Sequence, residues 1–142
     1  MKSRLSTWMI LLSFTGGSAI AAERHAMNSA EILAALPGMT MTGNYADGMK
    51  FTETYAPDKS IAYQDDRGSD TGNWFEKDGL FCTFYVSLQG ACFKVVRTGA
   101  NCYEYYVAEG QDGIKPAPAS NWNSVGWDVK HPATCDLSDK VV

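Results

Sequence analysis

From Met39 onward, apolar and polar residues alternate with a period of two, the signature of strands with one buried face. Met39, Met41 and Tyr45 alternate with Thr40, Thr42 and Asn44, and Met49, Phe51 and Tyr55 alternate with Lys50, Thr52 and Thr54. Further runs are centred on Ile61 and Tyr63, on Trp74 within 71–76, on 80–86, on 91–97 and on the tyrosine-rich 102–108. Turn dipeptides separate them: Asp47-Gly48, Pro57-Asp58, Asp78-Gly79 and Thr98-Gly99. After the polar stretch 109–120, Trp122, Val125, Trp127 and Val129 return to apolar character, either as an eighth strand or as a flap over one end. The pattern predicts a mainly β domain, an antiparallel up-and-down meander of seven or eight strands forming a small barrel or sandwich. Such a sheet must close or cover its edges.

One short helix precedes the strands. Asn28 and Glu31 have capping-box spacing, and Met27 is placed to pack on Ile32 as a hydrophobic staple. Ile32, Leu33, Ala35 and Leu36 supply an apolar face, and Pro37-Gly38 ends the helix. A helix of about nine residues is unstable alone, so it must dock on the sheet.

Upstream lies an export signal: Lys2 and Arg4, then the apolar run Trp8 to Phe14, then Ala19-Ile20-Ala21 as a cleavage pattern. Cleavage before Ala22 and cleavage before Glu23 both fit. Residues 1–22 are thus read as a cleaved signal peptide and 23–142 as a single β-rich periplasmic or secreted domain. The apolar run is far shorter than the ~20 residues of a membrane span. Loss of Lys2 and Arg4 takes the net charge from −4 to −6.

Four cysteines suit that compartment. Cys82, Cys92, Cys102 and Cys135 read as two disulfides. The favoured pairing is Cys82–Cys92 across one hairpin, with Cys102–Cys135 tying down the tail. No C-x-x-C motif occurs and the spacing is wrong for zinc.

An aromatic content of 12% argues against disorder, and 12 Lys+Arg against 16 Asp+Glu argues against a nucleic-acid partner. There is no GxGxxG or P-loop signal, and no cofactor is implied. With only His25 and His131 present, Ser-His-Asp and zinc hydrolase sites lack parts.

Glu53 is the sharpest pointer to a site. It shares strand parity with Phe51 and Tyr55, so a carboxylate faces the core, where it must be paired, protonated or solvated in a cavity. The competing reading is an edge strand with a wet face. Trp74, Tyr55, Tyr103, Tyr105 and Tyr106 are candidates to line an aromatic ligand cavity. Ordinary core pairing is the competing reading for them. An interior filled by Met41, Phe51, Trp74 and Phe84 would leave no room for a ligand.

Asp65, Asp66 and Asp70 cluster around Gly68, a carboxylate density that can hold Ca²⁺, but the spacing does not match an EF-hand loop and a solvated acidic hairpin is the favoured reading. His25 offers a weak metal possibility. With cleavage before Glu23 it becomes the third residue behind a free amine, a square-planar nitrogen site for Cu²⁺ or Ni²⁺; with cleavage before Ala22 the motif is lost.

Gly43-x-Tyr45-x-Asp47-Gly48, Tyr55-x-Pro57-Asp58, Thr71-Gly72-x-Trp74, Leu80-x-Cys82 and Cys92-x-Lys94-Val95, followed by a Tyr-rich strand, span Gly38 to Tyr106. This half of the chain resembles a family of small exported proteobacterial proteins of unknown function, domain of unknown function 995. The resemblance implies a periplasmic β-rich domain and brings no activity with it. Gly72-x-Trp74 on a strand also resembles calycins such as lipocalins and avidins, where the motif sits on the first strand rather than in mid-chain.

The reading that follows is a small exported barrel acting as a non-catalytic binding module for a small hydrophobic or aromatic ligand. A protein-interaction or inhibitor role in the periplasm is second. A carboxylate-based hydrolase, using Glu53 with Glu104 or Asp65, is third. The expected partner is a small molecule or a periplasmic protein, with no nucleic acid and no membrane span.

Overall fold

The computed structural model describes residues 24–108 and 122–138. The signal segment, its cleavage site and the polar stretch 109–120 lie outside the described residues. The elements are β1 (His25–Ala26), α1 (Ser29–Ala35), β2 (Thr40–Tyr45), β3 (Lys50–Tyr55), β4 (Ser60–Asp65), β5 (Gly68–Lys77), β6 (Leu80–Tyr85), β7 (Ala91–Gly99), β8 (Cys102–Val107) and β9 (Ser124–Asp128).

Strands β2 to β8 pair in sequence order, each antiparallel to the next, and β9 inserts between β8 and β2. The result is a closed eight-stranded up-and-down barrel. The segment after 122 is therefore a strand and not a flap; it is the element that removes the last open edges. β1 was not anticipated. It covers the half of β7 that β6 is too short to reach, pairing His25 with Arg97 and Ala26 with Val96.

Local chemistry explains the turns and the seam. Asp78 and Gly79 both have positive φ, 52° and 82°, the two-residue turn that suits the twist of the β5–β6 hairpin. At the seam Gly43 lies opposite Gly126. A Cβ on Gly43 would stand 2.1 Å from the Val125 carbonyl oxygen and 2.9 Å from the Phe51 ring. Two bare backbones at this point let β2 and β9 meet while Phe51 and Met41 fill the interior beside them.

α1 forms as its capping box dictates. Asn28 Oδ1 accepts from the Glu31 N–H at 3.0 Å, and Glu31 Oε2 accepts from the Asn28 N–H at 2.8 Å. Ile32 and Leu36, one turn apart, are fully buried, whereas Leu33 points outward and is 45% exposed. The apolar face is thus narrower than the composition suggested. α1 packs on β5 and β6, and Ser29 Oγ donates to Glu76 at 2.6 Å. It closes the end of the barrel where Met39, Trp74 and Phe81 join the same core.

A second, smaller core lies outside the barrel wall. Cys102 and Tyr106 face outward from β8 and Val125 from β9, and with Trp122, just ahead of β9, they are buried together with Val96, Cys135 and Leu137. Both cysteine pairs form as the spacing suggested, Cys82–Cys92 and Cys102–Cys135. The second bond holds the tail over this outer patch. Among the described residues, no helix is long and apolar enough to cross a membrane.

Candidate functional site

Among the described residues, nothing covers the end of the barrel opposite α1. There β2, β4, β6 and β8 end and β3, β5, β7 and β9 begin, and their inward side chains surround a cavity of about 240 Å³. Along β3, Phe51, Glu53 and Tyr55 point inward in successive layers, all three buried, while Lys50, Thr52 and Thr54 alternate outward. Tyr45, Tyr85, Phe93 and Tyr105 form the surrounding walls, and Ser124, Asn123 and Gln89 add polar atoms. No Lys, Arg or His lines the cavity among the described residues.

Glu53 is 6% exposed. The Tyr55 hydroxyl donates to its Oε2 at 2.5 Å, and the Tyr85 hydroxyl donates to its Oε1. Burial pushes the pKa of Glu53 above its ordinary value of 4.5, and the two tyrosine hydrogen bonds oppose that rise without cancelling it. Burial likewise raises Tyr55 and Tyr105 well above their ordinary values, with the Glu53 charge adding to the effect. Nearer the rim, Tyr45 donates to Tyr63 at 3.3 Å and Tyr63 donates to Asp65 at 2.9 Å. The Tyr63 and Tyr85 rings meet edge to face, 5.5 Å apart. The carboxylate is therefore held on both oxygens by phenols that rigid strands position.

This raised acid has a consequence for stability. The folded chain takes up a proton at Glu53 more readily than the unfolded chain does. The resulting stability is complete below about pH 4.5 and is lost as pH rises through the elevated folded pKa. Glu53→Gln removes that loss. The melting temperature of the variant should therefore gain on that of the parent as pH rises from about 5 to 8. Parallel melting curves over that range would show that Glu53 is not the group responsible.

Not every candidate residue reaches the cavity. Glu53, Tyr55 and Tyr105 line it. Trp74 does not: it is fully buried nearer the α1 end, its Nε1 donates to the Ala56 carbonyl at 2.9 Å, and its ring carries Lys59 Nζ at 3.8 Å. Tyr103 points inward at the closed end, beside Met39. Tyr106 is on the outer face, donating to Glu104 Oε2 at 2.7 Å and accepting from Arg24 at 2.8 Å. Phe84, taken as core filling, stands 48% exposed on the outer face, stacked on Phe75. Tyr85 and Phe93 are in the cavity wall but were not singled out, since their inward parity follows only once β6 and β7 are in register; Tyr45, already on the apolar face of β2 by its alternation, joins them.

Two of the three clustered aspartates, Asp65 and Asp70, have structural partners. Asp65 binds Arg67, which holds its pKa down at about 2, and Asp70 accepts backbone N–H groups of Ser87 and Leu88, both at 2.9 Å. His25 Nε2 lies 2.8 Å from Glu31. No cluster able to hold a metal ion is found among the described residues. Glu104, fully buried on the outer side of β8 and paired with Arg24 at 2.7 Å, is separated from Glu53 by the barrel wall. Asp65 is tied to Arg67 and does not line the cavity. Neither carboxylate therefore shares the cavity with Glu53.

A larger depression, about 630 Å³, lies at the closed end between α1 and the tail. It is shallow, and its polar groups are already engaged. Asn101 Nδ2 donates to the carbonyls of Asp128 and His131, and Arg97 to those of Gly99 and Ala100. The mouth is smaller but deeper set, with an acid at its centre.

Fold and site together define an end-capped, eight-stranded up-and-down β-barrel with an acid-centred aromatic calyx at its open end. Comparison of the chain with protein-family models, curated proteins and solved structures finds no match.

Proposed function

We propose that the chain is a non-catalytic binding module, exported from the cytoplasm, that holds one small molecule in the mouth of its barrel. One observation carries this reading: the inward carboxylate of Glu53 lies in an open cavity walled by aromatic rings instead of in a filled core. Eight-stranded barrels are wide enough to hold a single small ligand, and the calycin resemblance of Gly72-x-Trp74 agrees with that use. At ~30 Å³ per water, 240 Å³ equals the volume of about eight waters, so the ligand is small. The two disulfides favour an oxidising compartment.

Native mass spectrometry of the oxidised protein isolated from its own source should reveal a bound small molecule. Adding that molecule at about a hundred times its Kd should stabilise the fold by ~2.7 kcal/mol. Ala91→Trp, which fills the mouth from β7, should abolish the shift while the barrel still folds. Equal shifts in the two proteins would place binding elsewhere. The alternative, a protein-interaction or inhibitor role, has in its favour the exposed Phe75–Phe84 stack, whose ring centroids are 5.6 Å apart. A patch of two rings is within what monomeric surfaces ordinarily carry.

A further inference from the structure

We propose that the calyx selects a small organic cation, an amine or methylated ammonium group, seated against the Glu53 carboxylate inside the ring of tyrosines and phenylalanines. This rests on the binding-module reading and adds to it the charge of the ligand.

The calyx holds one carboxylate and, among the described residues, no cationic side chain to balance it. A buried carboxylate is costly, and a neutral ligand would be served as well by an amide or hydroxyl at this position. An anionic ligand would be repelled. A cation gains from the charge directly, and the gain is greatest where water is excluded. The tyrosines also leave room for it. Each Glu53 oxygen accepts one phenol hydrogen bond, from Tyr55 or from Tyr85, so each retains a lone pair for a ligand donor. Both phenols point their hydrogens at the carboxylate, which organises it as an acceptor. The walls of Tyr45, Phe51, Phe93 and Tyr105 present aromatic surface, whose negative π faces favour an ammonium over an uncharged group of the same shape. The chain's net charge of −4 adds a weak attraction at long range.

The inference carries a pH dependence. The groups around Glu53 are Tyr55 on its own strand, Tyr45 and Met41 from β2, Tyr63 from β4, Thr83 and Tyr85 from β6 and Tyr105 from β8. Among the described residues, Asp65 and Arg67 form an ion pair at the rim, reached from the cavity through Tyr63. Burial raises the tyrosines above their ordinary values and Glu53 above its own, so cation binding should strengthen as pH rises and Glu53 loses its proton.

The test uses the full oxidised protein and two matched pairs of probes, choline against its uncharged carbon isostere dimethylbutanol, and butylammonium against butanol. Binding is followed by calorimetry and by the NMR signals of the cavity tyrosines, with Ala91→Trp as the blocked control. At about pH 8 at least one ammonium should bind tenfold or more tightly than its neutral partner. That preference should collapse in Glu53→Gln, and in the parent it should shrink on going to about pH 5. Equal binding of charged and neutral partners would overturn the cation inference and leave the calyx reading intact. A preference that persists in Glu53→Gln, or is indifferent to pH in the parent, would also overturn it. If neither the ammonium compounds nor the neutral set, extended to phenol, perturbs the cavity tyrosines, both readings fall. If Glu53→Gln does not fold, the matched pairs and the pH series in the parent protein decide the matter.

Discussion

Trp74→Ala should lower stability by about 3–5 kcal/mol, the cost of emptying a fully buried tryptophan site. At roughly 4 °C per kcal/mol for a domain of this size, the melting temperature should fall by about 12–20 °C. The side chain fixes three things at once. It packs on Phe81 with ring centroids 5.8 Å apart, it satisfies the Ala56 carbonyl, and it supports Lys59 at the turn between β3 and β4. Trp74→Phe should recover most of the packing and lose the hydrogen bond, leaving a deficit of about 1–3 kcal/mol. Since Trp74 lies outside the cavity wall, the folded fraction of either variant should bind ligand with unchanged affinity. Chemical denaturation measures the first effect and titration the second. A large loss of affinity with unchanged stability would make Trp74 a binding residue after all.

Removing the bond between Cys102 and Cys135, by changing both to Ser, should cost about 4 kcal/mol, because the bond closes a separation of 33 residues in the unfolded chain. The Cys82–Cys92 bond closes only 10 and should be worth about 3 kcal/mol. The larger loss has a local address. The tail lies on the outer patch of Cys102, Tyr106 and Val125, and Thr134 Oγ1 accepts from the Asn101 N–H at 2.9 Å. Without the bond, amide exchange should accelerate first in 132–138, while the Glu53 layer at the other end of the barrel stays protected. Denaturant midpoints of the two double-serine variants give the ranking. A smaller loss for the tail bond than for the hairpin bond would mean that tail and outer patch are held by packing alone.

The two effects show why parts of this fold were legible from residues and others were not. β2 and β3 were plain, since each has one apolar and one polar face, and that alternation put Glu53 inward beside Phe51 and Tyr55. The Asp78-Gly79 turn was plain for the same local reason. β6 was ambiguous. Leu80, Phe81, Cys82, Phe84 and Tyr85 are apolar on both faces, and Phe84 was assigned inward when the inward set is Phe81, Thr83 and Tyr85. β8 was ambiguous too, because the tail buries its outer face and Tyr103, Tyr105 and Tyr106 look alike in composition. A strand covered on both sides leaves no polar face from which to read its register.

The sequence by itself determined the two-faced strands β2 and β3, the capped helix and a favoured pairing of the four cysteines, because each depends on neighbours within a few residues or on a short list of possible partners; it placed Glu53 on the apolar face of β3 and left open whether that face was wet. The tertiary structure alone decided that β9 seals the wall between β8 and β2, and that Tyr85 reaches Glu53 from 32 residues away. It also decided that Trp74 packs toward the α1 end while Glu53 borders the cavity at the other. Those outcomes depend on how far each strand is offset when the sheet curls shut, and that offset is set by all the strand pairs together.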